Sequence, residues 1–284
     1  MLTAVAAPEI RAQVSAVTVD VALEQEQFLP SEDVRVAVRV TNRSGQSLQL
    51  GKEDNWITFS IQARDRYVVK QLGDVPMASA FTLESSKTGT RRANLTPYFD
   101  FREAGRYEII ATVKIPQWDK EVSSKSVSFD IITGTKLKEM DFGVPTTATN
   151  AAPEMRKYIL QQAVYLKEMK LYFRLTDSTG STTLRVFPIA RMVTFSQPEM
   201  QVDKASNLHV LHQTGARAFN YCVINPDGEI LLRQTHEYTN TRPTLKMESD
   251  GNILVRGGVQ RMSSAVPAIS PNKISPSQDA PTQP

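Results

Sequence analysis

Apolar and polar residues alternate one by one through the first half of the chain. In "VTVDVALE", Val17, Val19, Val21 and Leu23 alternate with Thr18, Asp20 and Glu24. In "VRVAVRVT", Val34, Val36, Val38 and Val40 alternate with Arg35, Arg39 and Thr41. The same period runs through Ile57, Phe59, Ile61 and Ala63, through Tyr107, Ile109, Ala111, Val113 and Ile115, and through Val127, Phe129 and Ile131. A strand sends successive side chains to opposite faces, so each run has one dry face and one wet one. Turn residues separate the runs at Leu29-Pro30-Ser31, Asn42-Arg43-Ser44-Gly45 and Ala104-Gly105. Short strands at this spacing predict a two-sheet antiparallel sandwich over residues 13–133, with Trp56 in its core. Arg91 and Arg92 are expected in a solvated loop.

Two stretches carry a family likeness. "SEDVRVAVRVTNRSGQSLQL" resembles the paired strands of bacterial immunoglobulin-like domains, and "FREAGRYEIIATVKI" resembles their penultimate strand. The resemblance implies an immunoglobulin-like sandwich in which Gly105 makes a turn and Tyr107 is the corner tyrosine. It implies little about function, because such sandwiches host binding, spacing and structural roles alike. The cysteine pair of antibody domains is absent, since the chain has a single cysteine.

Residues 134–152 read as a strand and a linker, with "FGVPTTATNAA" as loop. Beyond them, over residues 153–262, the chain repeats itself. "QPEMQVDKASNLHVL" aligns without a gap with "RPTLKMESDGNILVR" at an offset of 45 residues, matching Met200 to Leu245 and Asn207, Leu208 and Val210 to Asn252, Ile253 and Val255. A third, weaker match falls on Pro153-Glu154-Met155. Hairpins are expected around Asp177 to Gly180 and Asn225 to Gly228. Each unit reads as four short strands, the size of a propeller blade. "NLHVLHQTG" followed by "FNYCVINPDGE" resembles blades of sialidase-like β-propellers. Two units and part of a third cannot close a ring, which leaves an open stack, a second sandwich, or a ring completed by another chain. The fold class expected is therefore all-β: an immunoglobulin-like antiparallel sandwich and a second domain of propeller-like repeats.

Composition narrows the functions. The chain has 33 basic and 30 acidic residues, and neither half is basic enough to indicate nucleic acid. No apolar run is long enough to span a membrane as a helix. Residues 1–12, from "MLTAVAAPEIRA", are either the remnant of a signal peptide or a loose N-terminus, and the Pro/Ser-rich residues 263–284 are expected to be disordered.

All three histidines and the one cysteine fall between Leu208 and His236. On a strand, His209 and His212 point to opposite faces, so their spacing is not that of a helical metal pair. Cys222 is expected to pack as a small apolar residue. Sheet neighbours could bring His209, Cys222 and His236 together, but no metal site, catalytic set or cofactor is assigned. "DFG" at Asp141 to Gly143 stands without the rest of the kinase set, and "RGG" at Arg256 to Gly258 reads as a turn. "LTDSTGSTT" departs from the sialidase Asp-box, with Leu175 where Ser or Thr belongs. Tyr165, Tyr172 and Phe173 read as core. Two residues stand out as binding candidates: Trp118, in the polar turn "IPQWDKE", and His209, on the strand face away from Leu208 and Val210. The pattern points to a non-catalytic structural or binding protein of the bacterial envelope or exterior, extracellular or periplasmic, whose partner is a protein or glycan. A homo-oligomer formed through the open repeat edge fits the same pattern, and a cytosolic scaffold remains an alternative. The other reading is a glycan-active enzyme with a propeller completed by oligomerisation.

Overall fold

The structure, a computed structural model, describes residues 16–63, 68–145 and 154–261. The expectations for residues 1–12 and 263–284, and the Pro153 end of the weak third repeat, lie outside the described residues. Apart from one turn of 3-10 helix at Pro116–Trp118, every regular element among the described residues is a strand. The first half holds β1 (Val17–Leu23), β2 (Gln27–Phe28), β3 (Arg35–Asn42), β4 (Leu48–Leu50), β5 (Ile57–Ala63), β6 (Phe81–Leu83), β7 (Thr88–Asn94), β8 (Gly105–Ile115), β9 (Lys120–Ser123) and β10 (Val127–Ile131). One sheet runs β1-β3-β7. The other large sheet runs β2-β10-β8-β5, with β9 on β8 and β2 joined parallel to β10, and β4 pairs with β6 in a separate two-stranded sheet.

The alternating residues of both sheets meet in one core that includes Val19, Val38, Ile61, Ile109 and Phe129. Trp56 is buried there, and its indole N–H donates to the Met77 carbonyl at 2.7 Å. Tyr107 stacks on Phe129, and its hydroxyl donates to the Glu103 carbonyl at 2.7 Å, tying the strand back to the turn before it. Arg91 and Arg92 correct an expectation. They lie inside β7, not in a loop, and the Arg91 guanidinium covers the Phe81 ring at 4.0 Å. Its long stem lets a basic residue occupy a half-buried strand position.

The second half holds β11 (Thr135–Gly143), β12 (Met155–Tyr165), β13 (Glu168–Asp177), β14 (Thr183–Arg191), β15 (Glu199–Val202), β16 (Leu208–Gln213), β17 (Ala218–Ile224), β18 (Ile230–Glu237), β19 (Thr244–Met247), β20 (Ile253–Arg256) and β21 (Val259–Arg261). They form the sheets β11-β12-β13-β14, β15-β16-β17-β18-β21 and β19-β20. The 45-residue offset is structural, since adding it to the bounds of β15 gives those of β19. The turns match as well. Asp203 N–H bonds the Asn207 carbonyl at 3.0 Å, and Glu248 N–H bonds the Asn252 carbonyl at 2.8 Å. The fourth residue of each is left-handed, Ser206 with φ 63° and Gly251 with φ 81°. The third match fails: Met155 opens β12, which runs unbroken to Tyr165 along β13 where the repeat has its turn. The "FG" expected in a loop ends β11 instead, because Phe142 stacks on Tyr158 at 3.8 Å.

These three sheets stack. Phe142, Tyr158, Leu160, Phe173 and Leu175 of the first meet Leu208, Val210, Cys222 and Ile224 of the second. On its other face the second sheet sets Leu211, Phe219, Tyr221 and Val223 against Leu245 and Ile253 of the third. The stack is open. The far face of the last hairpin carries Thr244, Lys246, Leu254 and Arg256, the last ion-paired with Glu248.

A packed seam joins the halves. Leu29 and Ile132 pack against Ala163, Tyr172 and Val186 on the outer face of the first stacked sheet. Arg174 donates to the Pro30 carbonyl at 3.0 Å, and Leu166 N–H to the Gln27 side chain at 2.7 Å. Glu32 holds the loop that delivers Leu29, accepting from Leu29 N–H and the Gln25 amide, each at 2.8 Å. Burial pushes the Glu32 carboxyl above the usual carboxylate range.

Candidate functional site

His209 sits in the middle of a buried hydrogen-bonded chain. β16 alternates Leu208, Val210 and His212 toward the first stacked sheet and His209, Leu211 and Gln213 toward the third. The His209 ring is 6% exposed. Its Nε2 lies 3.1 Å from Asp203 Oδ2, and its Nδ1 lies 2.6 Å from Tyr221 Oη. A carboxylate only accepts, so Nε2 carries a proton, and in the neutral ring Nδ1 then accepts from the tyrosine hydroxyl. Asp203 is saturated by its own turn, accepting also from Ala205 N–H, Asn207 N–H and the Asn207 side chain. Burial works against its charge, but these bonds and the one from His209 hold the carboxyl below its usual range. Tyr221 is pushed up to about 12, by burial first and the Asp203 charge second. The protonated hydroxyl is a hydrogen-bond donor to His209. The chain fixes β16, β17 and the 203–207 turn relative to one another.

The other residues do not join it. Cys222 pairs with Val210 and lies on the opposite face from His209, where burial pushes its thiol up to about 11. His212 shares that face. Neither of its ring nitrogens has a hydrogen-bond partner of good geometry among the described residues, and burial, offset in part by a weak interaction with the Arg191 backbone, holds it at about 4. His236 pairs with Phe219 and stands edge-on to Tyr221 at 6.1 Å. The convergence of His209, Cys222 and His236 is therefore not realised. The strand register divides them between two faces.

Trp118 is half-buried, packed on the sandwich core from the 3-10 turn. Its neighbour Gln117 fastens that turn to Gln49 N–H at 3.0 Å. An open groove of about 540 Å³ lies at the seam, between Gly105, Ile131, Thr133, Gln162, Val164 and Met169. Among the described residues, no titratable side chain lines it.

A surface that the sequence reading missed lies at one end of the stack. Three loops meet there: 192–198, 214–217 and 238–243. They are sewn together by Val193 N–H to the Gln213 carbonyl at 3.1 Å, Tyr238 N–H to the Arg217 carbonyl at 2.7 Å, and Arg242 to the Ser196 hydroxyl at 3.0 Å. Gly257 lets the turn after β20 close on them, because a Cβ there would stand 2.6 Å from the Arg242 carbonyl. On this frame Phe195 is 77% exposed and Tyr238 is 40% exposed. Arg217 donates to the Tyr238 carbonyl at 2.8 Å, and Arg242 lies 5.3 Å over the Phe219 ring. Among the described residues, Arg217 and Arg242 are held by neutral groups and by no carboxylate. The one signal in the sequence was Phe195 itself, an aromatic residue in the polar run Thr194-Phe195-Ser196-Gln197-Pro198, off any strand period.

The fold and this surface define an all-β chain of several open antiparallel sheets with an arginine-and-aromatic loop end. No family model matches it, and neither does any curated protein. Among solved structures, the sporulation control protein Spo0M from Bacillus subtilis is similar at 10% identity. That match covers 62% of this chain and 91% of that one, with a TM-score of 0.31.

Proposed function

We propose that this chain is a non-catalytic structural or binding protein of the bacterial envelope or exterior. In this reading an immunoglobulin-like sandwich is joined to an open propeller-like stack, and the partner is a protein or a glycan. The loop end carries the reading. Phe195 stands 77% exposed beside Tyr238, Arg217 and Arg242 on loops tied to one another by hydrogen bonds. Aromatic and arginine side chains on a rigid frame are the residues that dominate contact energies, because little side-chain freedom is lost on binding. The Tyr107 bond to Glu103 supports the sandwich assignment, and the shared turns of the 45-residue repeat support the stack. Trp118, half-buried at a turn of the sandwich, is a second, smaller contact candidate.

Crosslinking and affinity recovery from fractionated cells tests this, with a Phe195→Ser/Arg242→Ala variant in parallel. The expected result is recovery from the envelope or exterior fraction of a partner that the variant loses. Recovery confined to the cytosol, or an identical set with both proteins, refutes it.

A further inference from the structure

The two ends of the stack differ in charge. The arginine-and-aromatic loops lie where β14 finishes at Arg191 and β18 finishes at Glu237. At the opposite end are the turns between β13 and β14, β15 and β16, β17 and β18, and β19 and β20. Those turns carry Asp177, Asp203, Asp227, Glu229, Glu248 and Asp250, with Glu154 beside them. Several of these acids face neutral donors of their own turns. Asp177 accepts from Ser181 and Thr179, Glu229 from the Asn225 side chain, and Asp250 from Asn252. The bonds from Ser181, Thr182 and Thr179 outweigh desolvation and hold Asp177 at about 2, so it stays ionised. The basic groups at this end are Arg156, Lys204 and Arg185, while Arg256 reaches Glu248 along its hairpin and His209 holds Asp203. Among the described residues, Asp177, Glu229 and Asp250 are therefore the acids here without a basic side-chain partner. Arg156 is already engaged by Glu154 and Asp227, and Lys204 donates to the Asp250 carbonyl. Met155, Leu184, Ile230 and Met247 add exposed apolar surface around the acids.

We propose that copies of this chain associate head to tail, the arginine-and-aromatic end of one seated on the acidic turn end of the next. This rests on the reading of the loop end as a contact surface and names its occupant. Opposite ends complement each other in charge, and each offers apolar side chains for the other to cover. Like ends repel, which disfavours a two-fold pair built on either end alone. A heterologous contact of this kind does not have to close on itself, so it can propagate into an open chain of copies.

Sedimentation velocity of the full chain over a concentration series tests the proposal at low and high salt. Association is expected to grow with concentration and to fall with salt, as screening shortens the reach of exposed charges. Arg217→Glu/Arg242→Glu and Asp227→Lys/Glu229→Lys should each weaken it by about tenfold or more, and an equimolar mixture of the two should regain it. Phe195→Ser, at a position with little to lose in folding, should weaken it with unchanged circular dichroism. A wild-type protein that stays monomeric at low salt overturns the proposal, as does association indifferent to both reversals or not regained on mixing. If the protein is monomeric and Phe195→Ser/Arg242→Ala still loses a partner from fractionated cells, head-to-tail assembly fails and the contact-surface reading stands.

Discussion

Replacing Tyr221 by Phe removes one hydroxyl from the centre of the stack. The hydroxyl donates to His209 Nδ1 at 2.6 Å, and the ring is 6% exposed, so water does not readily replace it. His209 Nε2 stays committed to Asp203, which fixes the tautomer and leaves Nδ1 a buried acceptor without a donor. An orphaned buried group costs about 1–3 kcal/mol. In a chain of this size each kcal/mol lowers the melting temperature by roughly 2–4 °C. His209→Leu copies the residue that the repeat places at position 254. Alone it strands the Tyr221 hydroxyl. Combined with Tyr221→Phe it strands only one of the contacts of Asp203, which keeps its bonds from Asn207 and Ala205. The double variant should therefore cost less than the two single ones together, by about 0.5–3 kcal/mol. Urea unfolding of the four proteins, followed by circular dichroism, measures this directly. Additive costs, or no loss in Tyr221→Phe, would refute the view that the three side chains act as one structural unit.

Other outcomes follow from single groups. His212 is held at about 4 by burial, so its neutral form is favoured in the fold. Stability should be lost as pH falls from about 6.5 toward 4, by up to about 3 kcal/mol. His212→Leu should flatten most of that slope in pH-dependent unfolding, with His236 supplying a remainder of the same sign. Cys222, pushed up to about 11 and buried, should react with a thiol reagent at neutral pH only after denaturation; rapid labelling of the native protein would contradict its place in the core. Glu32→Gln should flatten a decline in stability as pH rises above the usual carboxylate range, because burial disfavours the charged form there; an unchanged pH profile would refute this. Emission of a Trp118→Phe variant, which leaves the buried Trp56, should resist acrylamide, whereas a Trp56→Phe variant should be quenched.

Strands β1, β3, β5, β8 and β10 were legible because one face of each is dry, and a period of two needs no further information; β2, β4, β6, β7 and β9 are too short or too polar to show one. The offset of 45 residues was legible for a similar reason: the turn residues Asn207 and Asn252, and the apolar pairs beside them, serve the same backbone geometry twice. The weak match at Met155 misled because three residues carry no turn chemistry, and β12 had ten paired partners on β13 to keep it straight. Arg91 read as solvated because sequence cannot show that its stem would lie on Phe81. For His209 the sequence showed the face but not the partners, since Asp203 and Tyr221 arrive from a turn and a neighbouring strand. The loop end was invisible because Phe195, Arg217 and Tyr238 are far apart along the chain and meet only after the sheets have stacked.

The outward face of the last hairpin bears on how such a stack can change length. A closed ring fixes the number of its parts, because adding one breaks the circle. An open stack has no such arithmetic; each sheet answers only to the one before it. Duplicating 45 residues ahead of β19 would bury one more face and leave the same terminus on top. Thr244, Lys246, Leu254 and Arg256 would form that outer face whatever number of sheets lay beneath it.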